Sequence, residues 1–143
     1  LGHRTAAHLV EAHGIALHRR PAPHVWSGLE YACHVRDVFL VLRARVLQAL
    51  RDAEPAFTPM GRNERVVHDR YAEQVPADVA RQVADAASML AFTLDGLGPD
   101  QWLRTCVYGY PAPARRTLAW VAEHALHEGE HHLCDLEAAL AAR

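Results

Sequence analysis

The chain has no lysine, and all fifteen of its basic residues are arginine. Seventeen acidic residues offset them to a formal net charge of -2. That balance lacks the basic domain or stripe that marks a nucleic-acid footprint, so no nucleic-acid partner is expected. Cysteine is scarce and odd in number, with three residues at Cys33, Cys106 and Cys134. Reduced thiols in a cytoplasmic protein fit that count better than a disulfide framework. No apolar run approaches the ~18 residues of a membrane span. No charged-then-apolar signal segment opens the chain, and neither a membrane nor an export route is expected. Nucleophile elbow, phosphate-binding loop, dinucleotide fingerprint and paired-cysteine zinc site are all missing. So are internal repeats, low-complexity tracts and any convincing β-alternation.

What is present is helical. Half of the 143 residues are apolar, enough for one core, and the chain is expected to form a single domain over 1–143. A first helix is expected from His3 to Ala12, stopped by Gly14, before the Pro-rich connector "RRPAPHVW". Ser27 and Glu30 form an S-x-x-E capping box, and Tyr31, Val35, Val38, Leu42, Val46 and Ala49 then recur at helical spacing to Arg51. A polar connector follows, with a short helix around Glu64 to Tyr71. A third helix begins at Pro76 and stops at Asp95-Gly96. Prolines and glycines break "GPDQWLRTCVYGYPAPARR", and the last helix is expected from Arg115 to Leu140. The implied class is all-α, a four-helix bundle with long connectors.

Histidine is the compositional outlier, with eleven residues. The most concentrated run is "HEGEHH", His127 to His132. On a helix, residues four apart share a face, so His127 and His131 can offer two imidazoles to one metal ion. Trp120 and His124 extend that stripe on one side and Cys134 on the other. Leu118, Leu126, Leu133, Leu136 and Leu140 fall roughly opposite, with Glu123, Glu128, Glu130, His132 and Glu137 between. Burying imidazoles without partners costs about 1–3 kcal/mol each, which a metal would remove. His34, on the edge of the stripe holding Val38, Leu42 and Arg45, supplies a candidate third ligand. A site of His34, His127 and His131 would leave coordination positions open on zinc, nickel or iron.

The run also matches H-E-x-x-H, the zinc-protease signature. The protease reading fails because no histidine follows His132, Glu137 points off the His127/His131 face, and no strand is expected to hold a peptide.

The segments "WSGLEYACHVRDV" and "TLAWVAEHALHEGEHHLCDL" resemble the second-helix and last-helix motifs of the DinB-like (DinB/YfiT) superfamily. The resemblance implies a four-helix bundle that binds a divalent metal through His34, His127 and His131, often as a homodimer. It further implies a metal-dependent thiol S-transferase or isomerase, using a mycothiol- or bacillithiol-type low-molecular-weight thiol on a small electrophile. A metal-dependent hydrolase is the alternative, as is a non-catalytic, stress-associated metal-binding dimer. The chain departs from the family at H-L-C-D, His132 to Asp135, where many relatives carry H-R-G-Q. Around the ligands, His124, Glu130 and Cys134 are candidates to support an imidazole or line the pocket. Tyr108 and Tyr110 are candidate pocket walls, and Arg36, Arg65 and Arg70 are candidates to meet an anionic substrate. Trp26 and Trp102 read as connector anchors.

Overall fold

The computed structural model describes residues 1–12 and 14–142. Seven helices and three short strands follow in order. They are α1 (Gly2–Glu11), α2 (Ile15–His18), α3 (Gly28–Arg51), β1 (Ala56–Phe57), α4 (Arg62–His68), α5 (Pro76–Asp95), α6 (Pro99–Trp102), β2 (Thr105–Tyr108), β3 (Ala114–Thr117) and α7 (Leu118–Ala141). The four longest, α1, α3, α5 and α7, make the expected bundle. α3 packs along both α5 and α7, and α1 lies against α5.

Local chemistry explains where the long helices begin. Ser27 Oγ accepts from the Glu30 N–H, and the Glu30 carboxylate accepts from the Ser27 N–H at 2.8 Å, so the capping box is complete. Glu30 is fully buried there, and its carboxylate also accepts from Arg20 Nε at 2.7 Å. Pro76 occupies the first turn of α5, where its missing N–H costs nothing. Thr117 Oγ1 caps α7 by accepting from the Trp120 N–H.

One core cluster joins Val35, Phe39, Leu42 and Val46 of α3 to Val83 and Leu90 of α5 and to Leu118, Val121 and Ala125 of α7. Each fully buried large apolar side chain there contributes about 1.5–3 kcal/mol. A second cluster around Leu17, Leu29, Tyr71 and Leu136 closes the other end. Gly129 of α7 packs against the side chains of Leu1 and Phe39. A Cβ there would collide with Leu1 and come within 3.1 Å of Phe39 Cζ.

The connectors hold a three-stranded sheet that the sequence reading did not anticipate. β1 runs parallel to β2 with Phe57 opposite Tyr108, and β2 runs antiparallel to β3 with Cys106 opposite Arg116. β3 takes Ala114–Thr117, so α7 starts at Leu118 and not at Arg115. This sheet clamps the two long connectors together over the α3–α7 side of the bundle. Gly109, just past β2, lies so near the Phe57 carbonyl that a Cβ would clash with backbone. Gly109→Ala is therefore expected to destabilise the protein by about 1–3 kcal/mol, read from urea denaturation, because backbone cannot yield as a side chain can. A variant within 0.5 kcal/mol of the parent (about the size of a neutral surface change) would contradict the clamp.

Candidate metal centre

α3 contributes His34, which is 2% exposed. Its ring meets the His132 ring of α7 edge-on at 4.7 Å between centroids and the Trp26 ring at 5.1 Å. Glu128, one turn before His132 on α7, brings its Oε2 to 3.6 Å from His132 Nε2. One ring nitrogen of His34, one of His132 and one carboxylate oxygen of Glu128 lie within 4.8 Å of one another. His132 Nδ1 stands 2.9 Å from Asp135 Oδ2. Were His132 to bind a metal through Nε2, its Nδ1–H would donate to Asp135.

The residues fit a bound cation. His34 Nδ1 is enclosed and has no hydrogen-bond partner among the described residues, an arrangement that costs about 1–3 kcal/mol. Burial, with His132 adding to it, pushes the His34 imidazole down to about pKa 4 from its ordinary 6.5. The ring is therefore neutral, as a metal ligand must be. The His132 imidazole beside Glu128 holds that carboxyl below its usual range, so it stays anionic. Two imidazoles and one carboxylate form a donor set for zinc or iron(II) that leaves positions open.

This cluster opens into a cavity of about 480 Å³ between α3, α7 and the connectors. The expected ligand residues all line it, but in a different arrangement. His34 stands where expected. On α7 the structure sets Glu128 and His132 beside it, one residue later than the expected His127 and His131. His127 and His131 stack on each other at 5.9 Å nearer the surface, and the His131 side chain is 57% exposed against 7% for His132. His131 lies near Asp135 and His132 in a second cluster of possible donors, whereas His127 belongs to neither cluster.

Of the expected supporting residues, His124 lines the cavity, stacks on Trp120 at 4.8 Å and places Nε2 3.9 Å from Glu128 Oε1. Glu130 instead pairs with Arg4 at the surface, and Cys134 is exposed; neither lines the cavity. Tyr108 and Tyr110 both wall it, as expected. Arg36 and Arg65 are engaged by the buried Asp37, and Arg70 by Glu73, so none of the three reaches the cavity. Trp26 anchors its connector on His34 and Tyr31. The sequence reading did not single out Glu128, His132 and Asp135 as a group, though their spacing of four and three residues on one helix was visible in "EGEHHLCD".

Comparison with known proteins agrees with this architecture. The model of the DinB superfamily matches residues 2–135. The chain belongs to the DinB superfamily. A solved structure of YfiT from Bacillus subtilis superposes with a TM-score of 0.80 at 16% identity, covering 96% of this chain and 81% of that one. YfiT is described as "a probable metal-dependent hydrolase with an unusual four-helix bundle topology". No protein of curated function matches. The DinB-like chain described here has no helix long and apolar enough to cross a membrane among its described residues.

The buried neutral His34 carries a pH signature. Its folded pKa lies below its unfolded one, so on acidification the unfolded chain binds the proton first. Stability of the metal-free protein is expected to be complete above about pH 6.5 and to fall between about 6.5 and 4. The gap corresponds to roughly 3 kcal/mol at about 1.36 kcal/mol per pH unit. Denaturant titrations of the parent and His34→Gln in EDTA should diverge over that window. Parallel curves would refute the assignment.

Proposed function

We propose that the protein is a metal-dependent hydrolase of a small molecule, with its metal held by His34, Glu128 and His132. The observation that carries this reading is the donor set, two imidazoles and one carboxylate within 4.8 Å at the wall of a cavity. Catalytic zinc hydrolase sites use the same combination and keep a position open. The description of YfiT as a metal-dependent hydrolase supports the same reading, through shared fold. When bound, the metal supplies a Lewis acid for a substrate carbonyl and lowers the pKa of a coordinated water.

The chain's own residues do the rest. Burial keeps His34 free of a competing proton near neutral pH. Asp135 fixes the tautomer and orientation of His132, the role that outer-sphere carboxylates play for ligating imidazoles. Trp26 and Tyr31 hold the two rings from the sides away from the cavity, at 5.1 Å from His34 and 5.8 Å from His132. Val38, Val41 and Leu42 form an apolar floor that limits water beside the donors.

Thiol S-transfer is the second reading. No cysteine lines the cavity among the described residues, so a thiol nucleophile would come from solution, and the cavity is open enough to admit one. Turnover of a small activated ester or electrophile separates the two. The hydrolase reading expects metal-dependent turnover that added thiol leaves unchanged, whereas S-transfer expects turnover only with thiol. A protein that only binds metal turns over neither.

The ligand set has its own test. His34→Ala, Glu128→Gln and His132→Ala are each expected to weaken zinc binding by about 100-fold or more, and Asp135→Asn by about 10–100-fold. His127→Ala and His131→Ala are expected to retain stoichiometric metal, measured by elemental analysis after dialysis. Loss of metal from those two with retention in Glu128→Gln would restore the His34, His127 and His131 set.

A further inference from the structure

The α3 wall of the cavity is polar at both ends and apolar between. Along α3 its floor runs His34, Val38, Leu42 and Arg45, successive steps on one helical face. At 1.5 Å per residue, the His34 and Arg45 backbones stand roughly 16 Å apart along the axis. His34 belongs to the metal cluster, and Arg45 closes the far end.

Arg45 differs from the other arginines once considered for anion binding. Arg36 and Arg65 are neutralised by Asp37, and Arg70 by Glu73. Arg45 is half-buried, and its polar partners among the described residues are uncharged. Nη1 donates to Tyr108 Oη at 3.0 Å, and Nη2 donates to the Thr58 carbonyl. The Phe57 and Tyr108 rings stand 5.5 and 5.0 Å from the guanidinium carbon and hold its plane. Two of a guanidinium's five N–H donors are thus used, which leaves three. A positive charge fixed at a cavity wall, with donors to spare and no acid beside it, is a site for an anion. The other charged groups of the lining do not alter this. Arg62 and Glu64 are exposed on α4, Arg62 acts on His34 and Tyr31 at the opposite end, and Glu128 belongs to the metal cluster.

We propose that the cavity takes an elongated small molecule whose anionic group, a carboxylate or phosphate, pairs with Arg45 while its reactive end meets His34, Glu128 and His132. This rests on the metal reading above and names a substrate class for it.

Calorimetric titration of the zinc-loaded full chain tests it, using straight-chain hydroxamates that end in a carboxylate, a phosphonate or a methyl ester. The hydroxamate anchors each probe at the metal, and the chain length is stepped until the tail reaches Arg45. At that length an anionic tail is expected to bind about ten-fold tighter than the ester. Arg45→Gln removes the advantage and leaves ester-tailed binding unchanged, while Arg45→Lys keeps part of it. The tighter of carboxylate and phosphonate identifies the head group. Equal affinity of anionic and ester tails at every length in the unmodified protein overturns the proposal, whatever the variants do. So does an anionic advantage that survives in Arg45→Gln. If no hydroxamate binds, the metal reading has failed. Octanoate against 1-octanol on the metal-free chain then decides the anion site alone, and equal binding overturns it.

Discussion

The site depends on one constraint, the burial of an imidazole at the α3–α7 contact. His34 sits where a core residue would sit, one turn before Val38 on the side of α3 that meets α7. A neutral ring there needs polar company, and α7 supplies it with Glu128 and His132. Between those two, Gly129 leaves room for the Leu1 and Phe39 side chains. Helix packing and donor geometry are therefore one problem, because the donors stand on two helices that pack against each other.

The helices were legible because each carries its own signal. Ser27 with Glu30, Pro76, and the stop at Asp95-Gly96 mark ends within a residue or so of where they fall. The sheet was not legible. β2 is four residues long, and its alternation of Cys106 and Tyr108 inward is too brief to stand out from a connector. β1 is shorter still, and its partner lies about fifty residues away. Such pairing is decided by tertiary contacts, not by local pattern.

The choice of face on α7 shows how the site was nearly but not wholly readable. His127 with His131, and Glu128 with His132, are both i,i+4 pairs, about 100° apart around the helix. The four-residue spacing of two histidines favoured the first pair and set Leu126 among the leucines of the roughly opposite face. Leu126 is in fact 59% exposed. The buried stripe runs Leu118, Val121, Ala125, Gly129, His132, Leu136 and Ala139 in steps of three or four, with Leu133 buried beside it. Its middle is built of alanine and glycine, which carry little hydrophobic weight but allow close approach. Weighting small residues as packing residues would have set the phase and placed His132 inside, with Glu128 beside it.

The same distinction between charge and its neutralisation governs the arginines. Arg36, Arg65 and Arg70 looked equivalent to any other in a sequence where every cation is arginine. Asp37 removes the first two from consideration: it is 5% exposed, accepts from Tyr71 Oη at 2.6 Å and from Arg36 Nε at 2.8 Å, and lies on the α5 side of α3. That network holds the bundle and offers nothing to a ligand. Arg45 is held by a phenol, a carbonyl and two aromatic faces, so its orientation is fixed while its charge remains uncompensated. α3 thus divides its polar residues by face. Asp37 and Arg36 satisfy each other on one, while His34 and Arg45 look into the cavity on another, separated by Val38 and Leu42. A helix that places a donor for a cation and a donor for an anion three turns apart, with an apolar floor between, sets the length and polarity of what can lie along it.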